Sequence, residues 1–155
     1  MNLTICQLLI FVIYVTYITY RFGVLPSISE SFYKLNEFRK GHFFTFFCFA
    51  LSTTMVLESY KSSSLYFFSG VGLAFVGVAT RFKWSGAHTN IVHYLGAFVG
   101  IVSALAALYF ESGMWIPATL FAFITALIVL FKIKNATFWI EIVAFLLIIT
   151  GLFLR

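Results

Sequence analysis

From Ala136 to Leu154 the chain reads ATFWIEIVAFLLIITGLFL, an apolar run interrupted by one ionisable residue, Glu141. A helix needs about 20 mostly apolar residues to cross a bilayer, and this stretch satisfies that requirement. Five further stretches read the same way, over about residues 3–20, 42–60, 65–80, 91–110 and 114–132. The third is the shortest. With 136–154 they predict an all-α integral membrane protein, a six-helix bundle forming a single transmembrane domain over residues 1–155. The first run has no basic segment before it and no small-x-small site before Arg21. It therefore reads as a retained span and not as a cleavable signal.

Composition leads to the same class. Of 155 residues, 62% are hydrophobic and 10% charged, and the mean hydropathy is +1.02. Soluble domains carry about 25% charged residues, so a water-soluble globule is excluded, and so is a disordered chain. The net charge of +5 comes without a basic run interleaved with aromatics, so nucleic acid is not an expected partner. Cys6 and Cys48 lie in apolar stretches near opposite membrane faces, too far apart for a disulfide, which needs Cα atoms within about 7 Å. They read as packing residues.

The cations report direction. The first, third and fifth loops contain Arg21, Lys34, Arg39, Lys40, Arg81, Lys83, Lys132 and Lys134. The remaining loops and termini contain Lys61 and Arg155. By the positive-inside rule the first group is cytoplasmic and both termini lie outside. Tyr20, Trp84, Tyr94 and Trp139 mark span edges at the basic face, where aromatic residues are enriched.

The first loop carries its own signal. Ser27 and Glu30 have the S-x-x-E spacing of a capping box, and Ile28, Phe32, Leu35 and Phe38 follow at helical spacing. This predicts a short interfacial amphipathic helix over about 27–40. Ser27 and Glu30 could only cap that helix, or Ser29 or Glu30 could project into a polar site between the spans.

Ionisable groups inside a span are functional hypotheses by default. Glu141, His93 and His42 all fall near the basic face. His93 shares a helix face with Gly96, Gly100 and Ala104, a small-residue ladder that admits close helix approach. That ladder could also serve a second copy of the chain or a membrane protein partner. His42, Thr45, Cys48 and Ser52 form a second inward stripe. Together these residues predict a polar pocket at the basic face lined by Ser27, Ser29, Glu30, His42, His93 and Glu141. Arg39, Lys40, Arg81 and Lys83 are positioned for lipid headgroups. Ser29, His93 and Glu141 are the candidate nucleophile, base and orienter. A His–Glu hydrogen bond joining two spans is the structural alternative. The spacing His88–His93 divides these histidines across a helix, and no metal signature is present, so neither metal nor cofactor is expected.

The element Pro26-Ser27-Ile28-Ser29-Glu30 resembles the P-x-I-S-[DE] segment that follows the first span in the Frag/DRAM/Sfk group. Ala79, Phe82, Val92-His93 and Gly96-Ala97 are similar to that group's third-to-fourth span junction. Trp139-Ile140-Glu141 resembles its last helix, with Glu and Trp in reversed order. The resemblance implies six spans and links to phospholipid organisation, lipid-anchor remodelling and autophagy, with Ser29, Glu30, His93 and Glu141 as signature positions. Eukaryotic members place the first loop on the luminal side, opposite to the charge count here, and Tyr94 stands where a polar residue is usual. Three functions follow as expectations. The first is a non-enzymatic membrane protein that binds or organises membrane lipids, or serves as a subunit or regulator of a membrane complex. The second is an intramembrane lipid hydrolase or transferase. The third is a channel, which the lack of a continuous polar stripe disfavours.

Overall fold

The computed structural model describes residues 3–79 and 86–155, with side chains from residue 91 onward in the second segment. The described residues are helices and turns. They run α1 (Leu3–Phe22), α2 (Ser31–Glu37), α3 (His42–Ser59), α4 (Leu65–Ala79), α5 (Gly86–Ala106), a π-helical turn (Ala107–Glu111), α6 (Trp115–Leu130) and α7 (Ala136–Leu154). Four helical segments are long and apolar enough to cross a membrane: Leu3–Phe22, His42–Ser59, Ile91–Glu111 and Ala136–Leu154. Leu65–Ala79 and Trp115–Leu130 are apolar but shorter.

Helix α4 is the packing centre, and its glycines are the reason. Gly70 and Gly77 are seven residues apart and face α3. A Cβ on Gly77 would stand 2.7 Å from the Cys48 Cβ, and one on Gly70 would stand 2.8 Å from the Ser52 carbonyl oxygen. Gly72 faces the other way, where a Cβ would meet the Gly96 oxygen and the Gly100 nitrogen at 2.5 Å. Backbones this close allow hydroxyl groups to bond across the interface. Ser52 Oγ donates to the Gly70 carbonyl at 2.7 Å and Thr45 Oγ1 to the Gly77 carbonyl at 3.3 Å. The stripe Thr45–Cys48–Ser52 therefore faces inward as its spacing predicts.

The structure refines two expectations. The ladder Gly96–Gly100–Ala104 packs within the chain itself. Gly96 and Gly100 are filled by α4 of the same chain, and Ala104 is fully buried. Second, the helix in the first loop is shorter than 27–40. It spans Ser31–Glu37, because residues 26–30 are committed to another partner. Ile28, Phe32 and Leu35 are buried as their spacing predicts, whereas Phe38 is exposed, with the Arg21 guanidinium 5.4 Å from its ring centre.

Two helices at the basic end stop on a cation in the left-handed backbone region. Arg39 has φ 58° and Lys132 φ 49°. Each follows the same bonding pattern. Lys40 N–H donates to Leu35 O and Arg39 N–H to Asn36 O, while Ile133 N–H donates to Ile128 O and Lys132 N–H to Val129 O. This is the Schellman closure, in which glycine is the usual residue. At the opposite end, Arg155 forms an ion pair with the buried Glu58 and lies over the Tyr66 ring at 5.7 Å.

The glycine packing makes a graded prediction. Gly72→Ala drives a methyl into backbone atoms and should cost about 1–3 kcal/mol of stability. Gly100→Ala, whose nearest contact would be an ordinary 3.4 Å, should cost less. Thermal unfolding in detergent checks the order, and equal melting of the two variants would contradict the packing.

Candidate functional site

The site is built by the stretch between α1 and α2, which leaves the first helix at Gly23 (φ 74°) and runs along the start of α7. Three alternate residues of this stretch engage the N-cap and first two turns of α7 along one face. The Val24 carbonyl accepts from Asn135 Nδ2 at 2.9 Å. The Pro26 carbonyl accepts from Phe138 N–H at 3.1 Å. Ile28 N–H donates to Glu141 Oε2 at 2.5 Å. The segment bends at residues 24 and 26–28, and a helix returns to one face every three or four residues, so 135, 138 and 141 present one side of α7 to it. Phe138 lies in the first turn of α7, whose backbone N–H groups have no partner within the helix. Pro26 supplies one.

A second chain of bonds ties this segment to α1. The Ile28 carbonyl accepts from Ser31 Oγ at 2.5 Å, and Ser31 Oγ lies 2.6 Å from Tyr14 OH. A hydroxyl has one proton. With the Ser31 proton on Ile28, Tyr14 is the donor to Ser31. Tyr14 is clamped in turn by stacking on Phe47, 4.0 Å between ring centres and 11° from parallel. Tyr14, Ser31, Ile28 and Glu141 thus form one buried polar path from α1 to α7.

The residues singled out by sequence are distributed as follows. Ser27 Oγ accepts from Glu30 N–H at 3.1 Å and lies 2.9 Å from Ser29 Oγ, so the serine half of the capping box forms. Its effect is to close the turn ahead of α2, which has Glu30 at its N-cap and no side-chain cap bond. Ser29 and Glu141 line a small cavity of about 40 Å³ with Ile28, Cys48, Val76 and Ala97. That volume admits a water molecule but is far below the roughly 300 Å³ at which small-molecule sites begin. His93 stands beside the same cavity. Its ring is hydrogen-bonded to the backbone of Val76, its Nδ1 is buried without a partner, and Ala97 is one turn further along α5. Among the described residues no hydrogen bond joins His93 to Glu141. The two groups flank one cavity, each tied to backbone.

His42 is a correction. It is exposed and lies 4.6 Å from the Phe43 ring centre and 6.0 Å from that of Phe46, so it does not line the pocket. It opens α3, and its ring turns to Phe43 and Phe46 rather than continuing the inward stripe of Thr45 and Cys48. Arg39 and Lys40 are exposed at the basic end. Arg81 and Lys83 lie outside the described residues. Also among the described residues, no group of three His, Cys, Asp or Glu side chains is placed to hold a metal ion. Sequence reading missed Tyr14, Ser31 and Asn135. A tyrosine hydroxyl in an apolar helix requires a partner, and that is the signal that could have found Tyr14.

No family model, curated protein or solved structure matches this chain.

The Glu141 contact predicts an asymmetry between two substitutions. Glu141→Gln keeps a carbonyl oxygen for Ile28 N–H and should melt close to wild type. Glu141→Ala leaves that buried donor unsatisfied and should cost about 1–3 kcal/mol. Equal melting of both variants and wild type would remove the contact from any structural role.

Proposed function

We propose that this chain is a six-crossing integral membrane protein of non-enzymatic function. It binds or organises anionic membrane lipid, either alone or within a larger membrane complex, and has an interfacial segment between its first two spans. Loops one, three and five lie on the cytoplasmic side. The observation that carries this reading is the asymmetry of charge between the two ends. Arg39, Lys40, Lys132 and Lys134 are exposed at one end, and among the described residues none of them has an ion-pair partner. At the other end Arg155 is neutralised by Glu58. Each Lys or Arg near an anionic bilayer surface contributes about 1 kcal/mol of attraction. The segment fixed on α7 holds these cations at one level, since Arg39 and Lys40 follow α2 and Lys132 and Lys134 precede α7.

The likeness to the Frag/DRAM/Sfk group is part of the proposal and rests on Pro26–Glu30, His93 and Glu141. A second reading, an intramembrane lipid hydrolase or transferase, is favoured by the buried His93 Nδ1 that has no hydrogen-bond partner and by the cavity shared by Ser29 and Glu141. Against it, Ser29 lies against Ser27, His93 is tied to Val76, and Glu141 to Ile28.

The lipid reading expects a higher melting temperature in phosphatidylglycerol vesicles than in phosphatidylcholine vesicles, with the difference shrinking at high salt. No difference would contradict it. If His93→Ala folds normally but abolishes phospholipid turnover measured with wild type, the enzymatic reading replaces it. Direction is tested separately in a background lacking Cys6 and Cys48. Lys134→Cys should resist a membrane-impermeant thiol reagent applied to intact cells, and Ser62→Cys should react. The reverse pattern would overturn the topology.

A further inference from the structure

Helices α1 and α3 leave a groove of about 590 Å³ on the outside of the bundle, lined along its length by Leu9, Ile13, Tyr17, Phe46 and Ala50 and closed at one end by Lys40. The two helices run in opposite directions, so Tyr17 and Lys40 share the basic end while Leu9 and Ala50 share the deep end. From Tyr17 to Leu9 is eight residues, about 12 Å of helix. One leaflet supplies about 15 Å of hydrocarbon, half of a 30 Å core. The groove therefore matches the depth of a single leaflet, starting at the cationic surface. Resting on the lipid reading above, we propose that this groove holds one acyl chain of an anionic bilayer phospholipid whose phosphate meets Lys40.

Two features favour this occupant over a passing lipid. Lys40 is exposed and has no ion-pair partner among the described residues, so its charge is available. Its main chain is also fixed, because Lys40 N–H and Arg39 N–H close the Schellman turn on Leu35 and Asn36. That closure holds Arg39 in the left-handed region, which glycine adopts more readily than a residue with a side chain. The cation at the mouth is thus preorganised. A second lipid-side groove, of about 290 Å³ between α4 and α5, is lined by Val71, Gly72, Phe75, Leu95, Gly96 and neighbouring valines. Among the described residues it has no charged group, and it provides an internal control.

The test uses the full chain with its tryptophans replaced by Phe and one reporter introduced, Phe46→Trp, reconstituted in phosphatidylcholine–phosphatidylglycerol vesicles. Brominated acyl chains on one lipid class at a time quench the reporter on contact. The expected result is a preference of about fivefold for phosphatidylglycerol. It should fall to about one in Lys40→Gln and persist in Lys40→Arg. A Phe75→Trp reporter in the uncharged groove should show no preference. Equal quenching by both classes at position 46, or a preference unchanged by Lys40→Gln, would overturn the proposal. If preference is absent at position 46 while phosphatidylglycerol still raises the melting temperature, the groove assignment fails and the broader lipid reading stands. If that stabilisation is absent too, both fail.

Discussion

A non-helical segment packed against an apolar bundle has to find hydrogen-bond partners outside itself, because buried main-chain groups are costly to leave unpaired. Residues 24–30 solve this on the first two turns of α7. Asn135, Phe138 and Glu141 meet Val24, Pro26 and Ile28 in order. The remaining Ile28 carbonyl turns to Ser31 and through it to Tyr14. Glu141 is the outermost of these contacts from the helix start and the only carboxylate among them. The position of the first loop, and with it of α2 and the cations after it, depends on that acceptor.

The rest of the bundle is arranged by a different rule. α4 is thin on two sides, so α3 and α5 approach its backbone closely, and the hydroxyls of Thr45 and Ser52 reach its carbonyls. These contacts join helices that follow one another in the chain. They could form wherever the first loop lay. The polar path from Tyr14 to Glu141 adds register, linking the first helix to the last. The helix ends at the basic face then accept a backbone penalty at Arg39 and Lys132, which leaves positive charge where glycine would have been easier. A cation at a helix C-terminus is also favoured by the helix dipole, and this offsets part of that penalty.

Much of this was legible in the residues. The apolar runs gave the helices, with α6 shorter than its run suggested. The period of Thr45, Cys48 and Ser52 gave the inward face of α3, and depth alone singled out Glu141. His42 was misread because a residue opening a helix need not continue the stripe that follows it, and here it turns toward Phe43 and Phe46. The small-residue ladder on α5 was visible, but its partner was not. Gly70, Gly72 and Gly77 on the shortest run were the missing half of the pattern. The loop that crosses to α7 could not be read at all. A bent, non-repetitive segment laid on a helix leaves no periodicity of its own, and Glu141 lies 113 positions from Ile28. In place of the expected His93–Glu141 bond, Glu141 bonds the Ile28 N–H and His93 the backbone of Val76, which leaves His93 Nδ1 buried without a partner.

Amide hydrogen exchange of Ile28 and Phe138 tests the central contact most directly. Both amides should exchange slowly in wild type, although Ile28 lies outside any helix. In Glu141→Ala both should lose protection together, while the amides of α3 and α4 keep theirs. Rapid exchange of Ile28 in wild type, or protection indifferent to Glu141, would contradict the account.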